Sequence, residues 1–133
     1  MSTRPRRRDA QENESTVVVP SEQWSGFLDD FSRQHRGWSA CLETYDLDTR
    51  ENVRSQEAPL ESIDLDLEEQ RNPRINVIVH LDNKIVKHIL YRPSSLVLQS
   101  GDGQVKSLRI ETVNTETTVH FHKRRSGAPQ LSR

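Results

Sequence analysis

The chain has 133 residues, of which 32% are hydrophobic and 29% charged, and its mean hydropathy is -0.84. This length suits one domain with one modest core and excludes a multidomain architecture. No apolar run reaches the roughly 18 residues that a membrane span needs. The single cysteine, Cys41, excludes an intrachain disulfide framework and suits a reducing compartment. We therefore expect a soluble cytoplasmic protein.

Both ends of the chain are polar, charged and without hydrophobic periodicity, which predicts disorder over residues 1–15 and 124–133 and a single folded domain over 16–123. The candidates for anion contact in the first tail are Arg6, Arg7 and Arg8. Such a basic run can attract nucleic acid or anionic lipid. No aromatic residue is interleaved with it, so a solubilising tail is favoured and nucleic acid is not a favoured partner.

The first elements in chain order are a brief strand and a helix. Thr16 to Val19 is β-branched and ends at Pro20, which is typical of a short strand. Ser21 to Arg36 is predicted as the helix, with Ser21 as its N-cap and Gly37 as the left-handed residue that ends it. Four apolar residues share one face at helical spacing and should be buried together: Trp24, Phe27, Leu28 and Phe31.

The rest of the chain is predicted as short strands. The first five are Trp38–Leu47, Asn52–Ala58, Leu60–Leu67, Arg74–Leu81 and Ile85–Tyr91. Alternation in the third of them places Ile63, Leu65 and Leu67 toward the core. Asp82 and Asn83 are typical of a two-residue hairpin turn.

Two further hairpins lie between Ser95 and Lys123, and their turns predict a register. If Asn114 and Thr115 form the second loop, Ile110 lies opposite Val119 and Leu108 opposite Phe121. If Gly101, Asp102 and Gly103 form the first loop, Leu96 lies opposite Leu108. Both turns place the same apolar residues on one inner face, and the pattern then turns His120 and His122 toward solvent.

These elements predict an α+β fold. One N-terminal amphipathic helix should pack on a curved antiparallel sheet, or on a partly open barrel, of seven to eight strands. The helix is expected on the concave side of the sheet or across one end.

Several stretches of the chain resemble a family of small bacterial proteins known as domain of unknown function 5335. The stretches that carry the resemblance are Pro20–Trp24, Phe27–Asp29, Phe31–Trp38, Pro59–Ile63, His88–Pro93 and Lys106–Glu111. Together they span roughly Val19 to Lys123. The resemblance implies one compact bacterial domain and brings no catalytic residue, cofactor or partner with it.

His120 and His122 are the candidates for a metal site, because two histidines at i and i+2 on a strand can ligate zinc or copper. A third ligand is needed, and Glu111 and His88 are the attractive choices. The favoured interpretation is a pair of solvated residues on the wet face of the sheet, so we expect no metal and no cofactor.

A second group of candidates could line a pocket or an interaction surface. Its members are Trp24, Trp38, His88 and Arg92. The two tryptophans flank the helix, where aromatic residues can line a ligand site, although core packing is the favoured role.

The leading functional hypothesis is a non-enzymatic binding or interaction module, because the sequence contains no coherent set of nucleophile, base or metal ligands. The first alternative is a small-molecule-binding barrel or hydrolase-like enzyme with a pocket under the helix, using His88 with a carboxylate. The second is anion or nucleic-acid binding through the basic termini. The expected partner is another protein, or a second copy pairing through an edge strand, and no membrane.

Overall fold

The computed structural model describes residues 14–69 and 71–123. Within them lie one helix, α1 (Trp24–His35), preceded by a 3-10 turn (Ser21–Gln23), and nine strands. The strands are β1 (Glu14–Val18), β2 (Ser39–Asp46), β3 (Asn52–Arg54), β4 (Ala58–Asp66), β5 (Arg74–Leu81), β6 (Lys84–Tyr91), β7 (Ser95–Gly101), β8 (Gln104–Glu111) and β9 (Thr115–His122).

The predicted tails fall largely outside the described residues. Glu14 and Ser15, which the sequence assigned to the first tail, belong to β1 and pair with the end of β7. Residues 1–13, with the candidates Arg6, Arg7 and Arg8, and residues 124–133 lie outside the described part of the chain.

All nine strands join one antiparallel sheet in the order β1-β7-β8-β9-β2-β4-β5-β6, with β3 paired to the far half of β2. No ladder joins β1 to β6 among these strands, so the sheet is open and does not close into a barrel. Only two residue pairs link β2 to β4, Ser39–Pro59 and Ala40–Ala58. The buried residues of β4 and β5 share one core with those of β7, β8 and β9. We infer that the sheet bends at this junction, so that its two parts face the same core. The α+β prediction is confirmed, with nine strands instead of seven to eight.

The helix begins three residues later than predicted, at Trp24, and ends one residue earlier, at His35. Ser21 does not cap it: no side-chain cap bond is formed, and Ser21 opens the 3-10 turn. At the other end, Gly37 has a φ of +88°, in the left-handed region as predicted. Arg36 is extended (φ -61°, ψ 133°), and the Trp38 N–H donates to the His35 carbonyl at 3.1 Å. This geometry is a type II turn, which needs glycine at its third position.

The helix covers an edge of β4 that the sheet leaves open. Beyond Leu60, β4 has no partner strand on the β2 side. There the Ser32 hydroxyl donates to the Ile63 carbonyl at 2.9 Å and accepts from the Ile63 N–H at 2.8 Å. The Arg36 guanidinium donates to the carbonyl of Glu61, the extra residue of a β-bulge. Side chains of α1 therefore satisfy backbone groups that a missing strand would have paired.

The apolar face of the helix closes the core at the end where β2 begins and β9 ends. Trp24, Leu28 and Phe31 are buried, and Phe27 is half-buried against them. The Phe31 ring centroid lies 5.2 Å from that of Phe121 in β9. The prediction that all four residues of this face are buried together is thus correct for three of them and partial for Phe27.

Both predicted hairpin registers are wrong by two residues. The predicted inner faces are right except at the start of β8, where Lys106, expected opposite Leu98, is exposed and Val105 packs against the core instead. Ile110 lies opposite Thr117 and Leu108 opposite Val119, because the turn is Val113–Asn114. The threonines flanking that turn hold it: the Thr112 N–H donates to the Thr115 carbonyl at 2.9 Å. Side chains alternate with a period of two, so a shift of two residues leaves every side chain on its face.

In the β7–β8 hairpin the turn is Asp102–Gly103, both with positive φ, and a β-bulge at Lys106 shifts the register again. Leu96 therefore lies opposite Ile110 rather than Leu108. The turn at Asp82–Asn83 has the two positive φ values of a type I′ hairpin, as predicted. Leu67, expected in the core, is exposed because β4 ends one residue earlier, at Asp66.

Candidate functional site

A cavity of about 400 Å³ opens beside the edge of β6, where it faces the second half of β2 and the start of β9. Among residues 14–69 and 71–123 this edge has no partner strand, and we call it the free edge of β6. We call the cavity the open-end cleft. Its lining residues are Leu42, Thr44, Val53, Ser55, His88, Ile89, Leu90, Tyr91, Thr112, Asn114, Thr115 and Thr117. Its volume is in the range of small-ligand sites. It lies at the opposite end of β2 from the helix, so it is not the pocket under the helix that the sequence suggested.

The cleft combines apolar side chains with paired hydroxyls. Leu42 and Leu90 contribute apolar surface from strands that face each other across the cavity. Thr44 and Thr117 are hydrogen-bonded through their hydroxyls at 3.0 Å, and Thr112 and Thr115 at 2.7 Å. Each hydroxyl retains capacity for a further bond. Such a surface can hold a ligand through shape and a few directed hydrogen bonds.

His88 is the titratable imidazole of this cleft. It projects from the half-buried face of β6, and burial lowers its pKa from the ordinary value of 6.5 because desolvation disfavours the charged form. The imidazole is therefore neutral at physiological pH. Among the described residues, no aspartate or glutamate lines the cleft, whereas a hydrolase-like mechanism would pair His88 with a carboxylate.

A second cavity, of about 380 Å³, lies at the end of the sheet where β2 begins. We call it the basic rim. It is lined by Trp38, Arg54, Gln104, Val105, Lys106, His120, Phe121, His122 and Lys123. The β-bulge at Lys106 brings this side chain beside the end of β9, as bulges commonly re-aim a residue.

The structure gives His120 a carboxylate partner that the sequence did not reveal. His120 is half-buried on the outer face of the sheet, and its Nε2 lies 3.0 Å from Oε1 of Glu43 in β2. A hydrogen bond from the Asn52 amide, the contact with His120 and the charge of Arg54 hold the pKa of Glu43 below its ordinary value. Neither of the predicted partners, Glu111 and His88, lies at this position.

His122 is exposed, two residues further along the same face. Among residues 14–69 and 71–123, no group of three or more histidine, cysteine, aspartate or glutamate side chains is placed to hold a metal ion.

The other sequence candidates are dispersed over the molecule. Trp24 belongs to the core, where its indole N–H donates to the Val19 carbonyl at 2.8 Å. Trp38 is half-buried and lines the basic rim. Arg92 is exposed at a turn with a φ of +54°, and its backbone N–H donates to the Pro73 carbonyl. Only His88 of this group lines the open-end cleft. In the described part of the chain, the helix is too short and too polar to cross a lipid bilayer.

Comparison with known proteins agrees with the resemblance drawn from the sequence. A model described as Family of unknown function (DUF5335) matches residues 15–131. An "Uncharacterized protein" from Aquifex aeolicus (strain VF5) is 24% identical over 115 residues, which cover 86% of this chain and 96% of that protein. No solved structure matches the chain significantly. The family match spans nearly all the strands and the helix, and the chain therefore belongs to the Family of unknown function (DUF5335).

Proposed function

We propose that the protein is a non-enzymatic binding module and that its binding site is the open-end cleft. The observation that carries this proposal is the composition of the cleft wall. Apolar side chains, four threonine hydroxyls and a neutral imidazole surround a cavity of about 400 Å³. A site of this kind favours an uncharged occupant, held by apolar contact and a few hydrogen bonds. The absence of a carboxylate beside His88 in the lining favours binding over proton-transfer chemistry.

Filling the cleft tests this function. Val53 lines the cleft but is itself 63% exposed, so Val53→Trp should obstruct the cavity without disturbing the core. Val113→Trp is the matched control, since Val113 is 77% exposed on the neighbouring turn and does not line the cleft. Both variants and the wild type are screened by thermal shift against a library of uncharged metabolites and short peptides.

Compounds that bind should raise the melting temperature of the wild type and of Val113→Trp but not that of Val53→Trp. A ligand at about 100 times its Kd stabilises the folded state by about 2.7 kcal/mol, which is readily measured. The proposal is wrong if every stabilising compound acts equally on Val53→Trp, or if the library stabilises none of the three proteins.

A second candidate function is the binding of a phosphate-bearing anion at the basic rim. The observation that favours it is the set of cationic side chains, Arg54, Lys106 and Lys123, around one cavity with Trp38. Glu43 offsets part of this charge through its contacts with Arg54 and His120.

Inorganic pyrophosphate is the probe for this candidate, with tryptophan fluorescence as the readout because Trp38 lines the cavity. Lys106→Glu should abolish the fluorescence response, and Lys84→Glu, an equal change of charge on β6, should leave it intact. The response should weaken as salt is raised, because exposed charges are screened. Equal responses from the two variants would rule this candidate out.

A further inference from the structure

We propose that the open-end cleft takes an extended peptide segment, which adds a strand to the free edge of β6. This inference rests on the proposed binding function and names the class of partner. Addition of a strand to an exposed sheet edge is a common mode of peptide recognition, in which backbone hydrogen bonds provide affinity and pockets for alternate side chains provide specificity.

The cleft borders the edge of β6 rather than one of its faces. Four consecutive residues of this strand, from His88 to Tyr91, line the cavity. Successive side chains of a strand point to opposite faces, so a cavity that touches all four lies alongside the backbone. No residue of β5 lines the cleft, which places it on the unpaired side of the strand.

The pairing of β5 with β6 determines which backbone groups point into the cleft. The Arg92 N–H donates to the Pro73 carbonyl, and the register from there to the Asp82–Asn83 turn is uninterrupted. In an antiparallel pair, alternate residues direct both backbone groups toward the partner strand. The intervening residues Ile89 and Tyr91 therefore turn their N–H and C=O groups toward the cleft. A peptide in the extended conformation also presents its N–H and C=O groups at every second residue, so it can form hydrogen bonds with Ile89 and Tyr91.

The chemistry of the lining indicates an uncharged, apolar segment. At neutral pH none of the lining side chains carries a charge, since burial keeps the His88 imidazole neutral. A peptide side chain that points inward would contact Leu42 and Leu90, and one that points outward would lie beside Ile89 and Tyr91, which are exposed. We expect apolar residues at alternate positions of the bound segment, with no charge between them.

A single strand fits this edge better than a second copy of the whole sheet. Val53 of β3 and Ser55, which follows that strand, stand on the other side of the cleft from β6. In a second copy that paired through β6, the adjacent strand β5 would have to lie where Val53 and Ser55 form the opposite wall of the cleft. Residues 1–13 and 124–133 are rich in arginine and poor in strand-forming residues, so their composition does not suit the apolar segment either.

The test begins with a phage-displayed library of random linear peptides, selected on the full-length protein and counter-selected on Val53→Trp. A synthetic peptide from this selection is titrated by fluorescence polarisation against three variants. Ile89→Pro removes the N–H that faces the cleft, and proline is tolerated on an edge strand where the N–H is outside the ladder. Ile89→Ala removes the same side chain but keeps the N–H. Lys87→Pro removes the next outward N–H, which lies outside the cleft.

We expect Ile89→Pro to weaken the Kd about tenfold relative to Ile89→Ala, because it removes one backbone hydrogen bond and leaves a carbonyl of the peptide without a donor. Lys87→Pro should bind within about twofold of the wild type. A second measurement uses the wild type alone: N-methylation of the peptide backbone should abolish binding at alternate positions and be tolerated at the positions between them.

Three results would overturn the proposal. In the first, Ile89→Pro and Ile89→Ala bind the peptide equally and N-methylation has no alternating effect. In the second, the library yields no cleft-dependent peptide although uncharged metabolites stabilise the wild type and not Val53→Trp; the cleft then binds small molecules, and only the peptide inference fails. In the third, the wild type is a dimer that Ile89→Pro dissociates, which makes a second copy the occupant. If neither peptides nor metabolites depend on the cleft, the proposed binding function itself is wrong.

Discussion

Replacing Phe31 with alanine is expected to lower the free energy of unfolding by about 3–5 kcal/mol. The Phe31 side chain is 4% exposed, and its ring lies 5.2 Å from that of Phe121 and 4.0 Å, stacked, from the imidazole of buried His35. Removing it leaves a cavity at the joint between helix and sheet, where β2 and β9 hold the surrounding side chains in place. Urea denaturation followed by circular dichroism should show a lower midpoint with an unchanged slope.

Phe27→Ala is the matched control, since it makes the same substitution one turn earlier on the same helix. Phe27 is only half-buried, and its ring contacts Phe31 at 5.8 Å, so its loss should cost clearly less. Equal losses from the two variants would mean that both rings are buried alike. A neutral Phe31→Ala would mean that the helix does not dock through this face.

Replacing Ser32 with alanine is expected to cost about 2–4 kcal/mol, although the substitution removes a single oxygen atom. The hydroxyl satisfies both the N–H and the carbonyl of Ile63, at 2.8 and 2.9 Å, on a buried strand edge. Each buried backbone group left without a partner costs about 1–3 kcal/mol. Native-state hydrogen exchange should also show faster opening at the Ile63 amide.

Ser25→Ala provides the comparison for Ser32→Ala, because Ser25 is exposed on the same helix. Both substitutions change helix propensity by the same small amount, so the difference between them isolates the contact with β4. We expect Ser25→Ala to stay within about 0.5 kcal/mol of the wild type. If the two variants were equally stable, the helix would not be satisfying the open edge of β4.

The last third of the chain shows how far alternation can predict a sheet. Apolar residues at every second position predict the inner faces of β7, β8 and β9, and those faces are correct except at Lys106 near the start of β8. The pairs were shifted by two residues, because a shift of two preserves the faces and leaves alternation unchanged. The threonines around Val113–Asn114 and the bulge at Lys106 set the observed register. Neither feature alters the hydrophobic pattern.

The candidate site was less accessible to sequence reasoning than the fold. His88 was identified as a candidate, but its surroundings come from β2, β3 and the turn after β8, all of them distant along the chain. Glu43 cannot be recognised from the sequence as the partner of His120 for the same reason, since nothing local indicates that β9 pairs with β2. The free edge of β6 follows only from the strand order.

The sequence by itself determined the elements that depend on neighbours in the chain: the position and buried face of α1, the left-handed conformation at Gly37, the tight turn at Asp82–Asn83 and the inner faces of the strands. Helical and strand periodicity and turn chemistry act over a few residues, so they can be read locally. The tertiary structure alone decided the order of the strands, the bend between β2 and β4, the role of Ser32 at an open edge, and the cleft beside β6. Those features depend on contacts between residues far apart in sequence. Packing and the hydrogen bonding of backbone groups set the energies of these contacts, and no local pattern indicates which distant segments meet.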